Sequence, residues 1–292
     1  MNSTSPAIVA QSAVRRLPRT ALLLLCAAYV LAGFVGRDPL KSSDVTAFGY
    51  MLELVAGTSS WWSPTLMGQP LEPVALLPHW LGAWAILWAP AWVDPAFAAR
   101  IPFMALLWLT FASTWYGVYY LARSPRAQPV AFAFGGEAKP TDYARALADG
   151  GLLALIACLG LAQLSHEISA ALAQLSFTAL TFFGLAALPY RGRLAMAAVA
   201  IGLLGLTLSG APAVASWLGL GGIASCLRKQ DADTPEDARQ QRRRAIGVAL
   251  ITLAAAALAV VLDLWRWRAA LPPAQWTTWR SLGRLLLWFT WP

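Results

Sequence analysis

Long uncharged runs alternate with short polar connectors along this chain. Eight such runs occur, at Thr20–Gly36, Val74–Val93, Ile101–Ala122, Gly150–Ser165, Ile168–Pro189, Leu194–Gly210, Ala211–Leu227 and Ala245–Leu262. A ninth begins at Leu285 and meets the end of the chain at Pro292. Each of the eight reaches or approaches the roughly 20 residues that a helix needs to cross a bilayer. Helices are the spanning form expected, because lipid offers no partner for an unpaired backbone group.

Val74–Val93 reads differently from the rest. It holds Pro78, His79 and Pro90, and Trp80, Trp84, Trp88 and Trp92 recur at every fourth position. That spacing puts the indoles on one helix face, and indoles favour the headgroup level. Basic residues collect on the inner side of a membrane, so they arbitrate. If this run lies along the interface, 15 of the 22 basic residues face inward; if it spans, eight do. The interfacial reading wins and leaves seven complete spans.

The expected architecture is all-α: a polytopic transmembrane helical bundle with interfacial helices in a large first outer loop. An inner N-terminus at 1–19 leads into span 1 at 20–36 and the outer loop at 37–100. The transmembrane bundle of spans 2 to 7 occupies 101–262, and 263–292 is an outer segment with an incomplete last span. The polar N-terminus, with Arg15, Arg16 and Arg19 ahead of span 1, reads as an uncleaved signal anchor, because further apolar runs follow it.

Composition strengthens the membrane reading. Hydrophobic residues make up 58% of the chain and charged ones 12%, against about 25% charged in soluble domains. The net charge of +8 does not point to nucleic acid, since the basic residues sit in connectors rather than on a face with stacking aromatics. Cys26, Cys158 and Cys226 lie inside apolar runs with no ligand spacing and read as small hydrophobes.

The candidate chemistry lies in the outer connectors. "GRDPLKSSDVTAFG" follows span 1 and contains Arg37, Lys41 and Asp44. After it come Glu53, "GTSSWWSPTLMGQPLEP" with Glu72, "LPHWLGAW" with Trp80, and "AARIP" with Arg100. "SHEIS", with His166 and Glu167, lies between spans 3 and 4. A charge at these levels stays wetted, whereas deep in a span it costs roughly 2.5–3.5 kcal/mol.

This ordered series resembles the bacterial GT-C glycosyltransferases, the group that contains the lipid A aminoarabinose transferases and the protein O-mannosyltransferases. The resemblance covers about residues 15–225 and is strongest over 36–102. It rests on an acid after the first span (Asp44), a W-x-x-P-x-x-x-G element (Trp61, Pro64, Gly68), Glu72-Pro73, His79-Trp80 and the helix start Ala98–Pro102. Three departures stand beside it. The family's acidic pair is reduced to Asp44, Pro73 replaces the basic residue expected after Glu72, and family members are usually much longer, so the chain reads as a fragment or truncated product.

The resemblance implies transfer of a sugar from a polyprenyl-phosphate carrier to a glycolipid such as lipid A, or to a protein, at the outer face of a bacterial inner membrane, with the N-terminus cytoplasmic. It implies Asp44, Glu72 and Glu167 as catalytic acids. Lys41, Arg100, Arg37, His166 and Trp80 would bind substrate. A divalent cation stays open, since hard ions take oxygen ligands and zinc prefers imidazole. Glu167 has a plainer alternative, as a favourable charge at the start of the next helix. Two other functions compete: a polar-lipid transporter or flippase, and an inactive truncated membrane scaffold. The absence of Asp, Glu, Lys and Arg within the complete spans counts against a transport pathway.

Overall fold

A computed structural model describes residues 7–39, 41–70, 75–158, 161, 164–227, 235–265 and 275–290. The chain is mostly helical. In order, the elements are α1 (Arg19–Phe34), α2 (Ser42–Ala56), a minimal hairpin of β1 (Thr65–Leu66) and β2 (Gln69–Pro70), α3 (Leu77–Trp88), α4 (Pro95–Ala122), α5 (Pro140–Ile156), α6 (Ala170–Leu208), α7 (Pro212–Leu227), α8 (Pro235–Val261) and α9 (Trp276–Thr290).

Local chemistry sets several of the boundaries. Gly57 ends α2 in the left-handed region, at φ 71°, where its N–H reaches the carbonyls of Glu53 and Leu54. Asp94 starts α4 by accepting the Phe97 N–H at 3.3 Å, with Pro95 at the first helical position. Met67 and Gly68, at φ 51° and 79°, form the positive-φ turn that a two-residue hairpin needs. The glycine of the W-x-x-P-x-x-x-G element is therefore a turn residue.

α6 is a hairpin of two antiparallel arms rather than one rod. Pro189 precedes a non-helical Arg191 (φ −130°, ψ 33°), and the chain reverses there. A Cβ on Gly202 would lie 2.9 Å from the Thr181 nitrogen, and one on Gly184 2.8 Å from the Val199 nitrogen, so the arms touch backbone to backbone. The two arms correspond to the separate runs Ile168–Pro189 and Leu194–Gly210.

α4 occupies the centre, packed against α1, α3, α5 and α6. The core is apolar, with Phe34, Phe103, Phe111, Leu172 and Leu203 fully buried. Two buried polar bonds tie α4 to α6: Thr110 Oγ1 and Ser176 Oγ lie 2.8 Å apart, and Ser176 also donates to the Leu106 carbonyl.

Among the described residues, three helical segments are long and apolar enough to cross a membrane: Pro95–Ala122, Ala170–Leu208, which is the two-armed α6, and Ala238–Val261. α1 and α7 are apolar but shorter. α3, at 12 residues, covers only about 18 Å and falls short of a bilayer core. Three boundaries differ from expectation. The run Gly150–Ser165 does not form one helix, because α5 starts earlier, behind Pro140, and ends at Ile156. Trp92 lies beyond the end of α3, so the indole stripe stops at Trp88. The last helix begins at Trp276, well before the apolar run at Leu285.

Candidate functional site

The first turn of α2 meets the loop that precedes α6. Asp44 is 1% exposed, and its Oδ1 accepts the Ile168 N–H at 2.8 Å. Next to it, Glu167 accepts from Lys41 Nζ at 2.5 Å and from Ser43 Oγ at 3.0 Å. The segments 41–44 and 167–168, more than 120 residues apart, are thus joined by three bonds. Hydrogen bonds with a charged partner contribute about 1.5–3 kcal/mol each. The Lys41 side chain is 46% exposed and that of Glu167 only 5%, so the pair has one wet side and one dry.

Arg100, in the second turn of α4, is buried beside them. Its Nη1 donates to the Arg37 carbonyl. Its Nη2 is buried with no hydrogen-bond partner among the described residues. Arg37 adds a second positive charge felt by Asp44. Burial raises the Asp44 carboxyl above the ordinary aspartate value; the Ile168 N–H opposes this, the Glu167 charge adds to it, and Arg100 and Arg37 oppose it.

His166 faces the other way, into the bundle. Its Nε2 donates to the Tyr29 carbonyl at 3.0 Å, and its ring lies between Tyr29 and Phe34, with centroids at 4.9 and 5.4 Å. Gly33 makes room for it, since a Cβ at that position would fall inside the imidazole.

The structure therefore brings Asp44, Glu167, Lys41, Arg100, Arg37 and His166 to one end of the bundle. It corrects one expectation about them: Asp44 is not wetted. Docking of α2 on the Ile168 backbone removes water from the carboxylate, and the N–H replaces it. Glu167 does not cap α6 by hydrogen bonding either, since its oxygens belong to Lys41 and Ser43. Trp80 belongs to a different group: its Nε1 donates to the Trp61 carbonyl at 2.7 Å, and its ring contacts Trp62 and Trp84. Glu72 lies outside the described residues.

Among the described residues the donor set does not fit a divalent cation. Both Glu167 oxygens and one of Asp44 already serve protein donors, and no three His, Cys, Asp or Glu side chains converge among the described residues. His79 is also buried: its Nδ1 donates to the Ala75 carbonyl at 2.6 Å, and burial lowers its pKa to about 4, leaving a neutral ring against Tyr50.

Comparison with protein-family models, curated proteins and solved structures found no match.

Sequence reasoning passed over Asp149. It is buried and accepts the Leu17 N–H at 3.1 Å and Trp115 Nε1 at 2.8 Å, which locks the start of α1 to α4 and α5. The only signal was an acid at the very edge of an apolar run. Nothing in the sequence signals, either, that Arg16, Arg19, Arg123, Arg145 and Arg191 of the inner connectors gather around one cavity.

Proposed function

We propose that the chain is an integral membrane glycosyltransferase of the GT-C type, moving a sugar from a polyprenyl-phosphate carrier to a glycolipid or protein acceptor on the outer face of a bacterial inner membrane. The bundle is polytopic, with α2 and α3 at the interface. The observation that carries this reading is the convergence of Asp44, Glu167, Lys41 and Arg100 from three distant parts of the chain. Such convergence is what a transfer site at a membrane surface needs.

The chemistry divides among the residues by their environment. Asp44 is the base. Its raised pKa brings it closer to the neutral range, where a carboxylate best accepts a proton from an attacking hydroxyl. Arg100 supplies the stabilising charge, since its unpartnered Nη2 is a donor held ready for a phosphate oxygen of the leaving carrier. Lys41, half-exposed, stands at the entrance and exchanges its Glu167 contact for the same phosphate. Glu167 holds Lys41 and Ser43 in place until then. Arg37 orients Arg100 through its carbonyl, and His166 fixes the end of α1 against the site.

Asp44→Asn tests this assignment, because an asparagine oxygen still accepts the Ile168 N–H while the charge and basicity are gone. Transfer of radiolabelled sugar by membranes containing the variant should fall by about 100-fold or more, the range for loss of a general base, at unchanged protein level. Undiminished transfer removes Asp44 from the reaction, and no transfer by the unaltered protein removes the proposal.

A further inference from the structure

We propose that a second site, at the end of the bundle remote from Asp44, binds a phosphate-bearing ligand of net negative charge. A cavity of about 600 Å³ opens there between the start of α1, the end of α4, the start of α5 and the bend of α6. This volume lies in the range of small-molecule sites. Among the described residues its walls carry five guanidinium groups, Arg16, Arg19, Arg123, Arg145 and Arg191, against a single carboxylate, Asp142. That carboxylate is already engaged by Arg16 at 2.9 Å and Gln11 at 3.0 Å.

Rings rather than acids hold several of these arginines. The Arg123 guanidinium lies over Tyr119 and Tyr190, 5.7 and 5.6 Å from the ring centres. Arg191 Nε donates to the Tyr120 hydroxyl at 3.0 Å, and Tyr120 stacks on Tyr190 at 5.2 Å. Cation–π and hydroxyl contacts orient a guanidinium without neutralising it. The result is a fixed concentration of positive charge around a concave, ring-lined space. Arginine forks match phosphate oxygens in pairs, and that geometry selects a phosphate over a simple halide.

Arginines that serve only to orient a chain in a membrane need no cavity and no ordered partners. These converge on one from four separate elements. The level also matches that of a headgroup. The twenty residues from Arg100 to Tyr120 rise about 30 Å, the thickness of a hydrocarbon core, so the cavity lies one bilayer away from the Asp44 cluster. A lipid phosphate on that side and a soluble phosphate compound share the same chemistry. The site does not depend on the transfer reaction proposed above.

The test uses the full chain purified in a neutral detergent. Native mass spectrometry counts bound phosphatidylglycerol against phosphatidylcholine, and the unfolding midpoint is followed as inorganic pyrophosphate is added. Selective retention of phosphatidylglycerol that pyrophosphate does not displace supports the site with a lipid headgroup as its ligand. A saturable midpoint rise with pyrophosphate, and displacement of the lipid, supports it with a soluble phosphate. In either case Arg123→Gln with Arg191→Gln should weaken binding by roughly 25-fold, taking about fivefold for each basic residue. Arg19→Gln with Arg145→Gln leaves the tyrosine contacts intact and serves if the first pair does not fold. Equal retention of both lipids with no response to pyrophosphate overturns the proposal. So does binding that a folded variant leaves unchanged.

Discussion

At the scale of single residues, burial decides more than identity does. Asp44, Glu167 and Arg100 could each be picked from the sequence as charged residues next to apolar runs. Their directions could not, because the groups that fix them lie far away in the chain. Ile168 supplies the N–H that dries Asp44, and Lys41 takes up Glu167. Asp149 escaped notice for the same reason, since its donors come from Leu17 and Trp115. Gly33 is the clearest case of a residue whose role only a neighbour explains. Gly33→Ala drives a methyl into the His166 ring and forces it off the Tyr29 carbonyl. The expected cost is about 1–3 kcal/mol, seen as a lowered unfolding midpoint in detergent. Adding His166→Ala should recover part of that loss, because the two changes share one contact; additive losses would show that the contact is not the cause.

Elements were more legible than residues. The apolar runs coincide with most of the helices, and α3, set apart in the sequence by its tryptophan spacing, is too short to cross a bilayer core. Errors fell where apolar character and helix geometry part company. Gly150–Ser165 is uniformly greasy, yet its helix is set by Pro140 and ends at Ile156. Trp92 keeps the four-residue rhythm, yet α3 has stopped before Pro90. The arms of α6 show what holds such helices together when both neighbours and solvent are apolar: close approach at small residues. Gly202→Leu would press on the Thr181 nitrogen and the Phe177 carbonyl, 2.9 and 3.0 Å from its Cβ, and backbone cannot swing aside. It should destabilise the protein by about 1–3 kcal/mol, whereas Gly221→Leu, with nothing within 4 Å, should leave the unfolding midpoint unchanged. Equal midpoints for the two variants would mean that the arms do not touch as described.

For the whole molecule, the sequence implied two polar faces, and the structure assembles one charged cluster at each end of α4. The proposed arrangement, with the two clusters on opposite sides of a membrane, gives a direct prediction. With Cys26, Cys158 and Cys226 replaced, Gln69→Cys in the hairpin should react with an impermeant thiol reagent applied to intact cells. Phe134→Cys, in the connector between α4 and α5, should react only after permeabilisation. Reaction of both from the same side would dismantle the two-faced arrangement.

The far connector also does something that apolar pattern cannot reveal. Val130 and Ala138 donate to the carbonyls of Ala7 and Val9, and Gln11 donates to the carbonyl of Gly136. A ribosome delivers residues 7–11 long before 130–138, so this strip waits through the emergence of α1 to α4 before it finds its mate. Closing it spans a loop of about 120 residues, and the chain-entropy cost of so distant a contact places it late in folding.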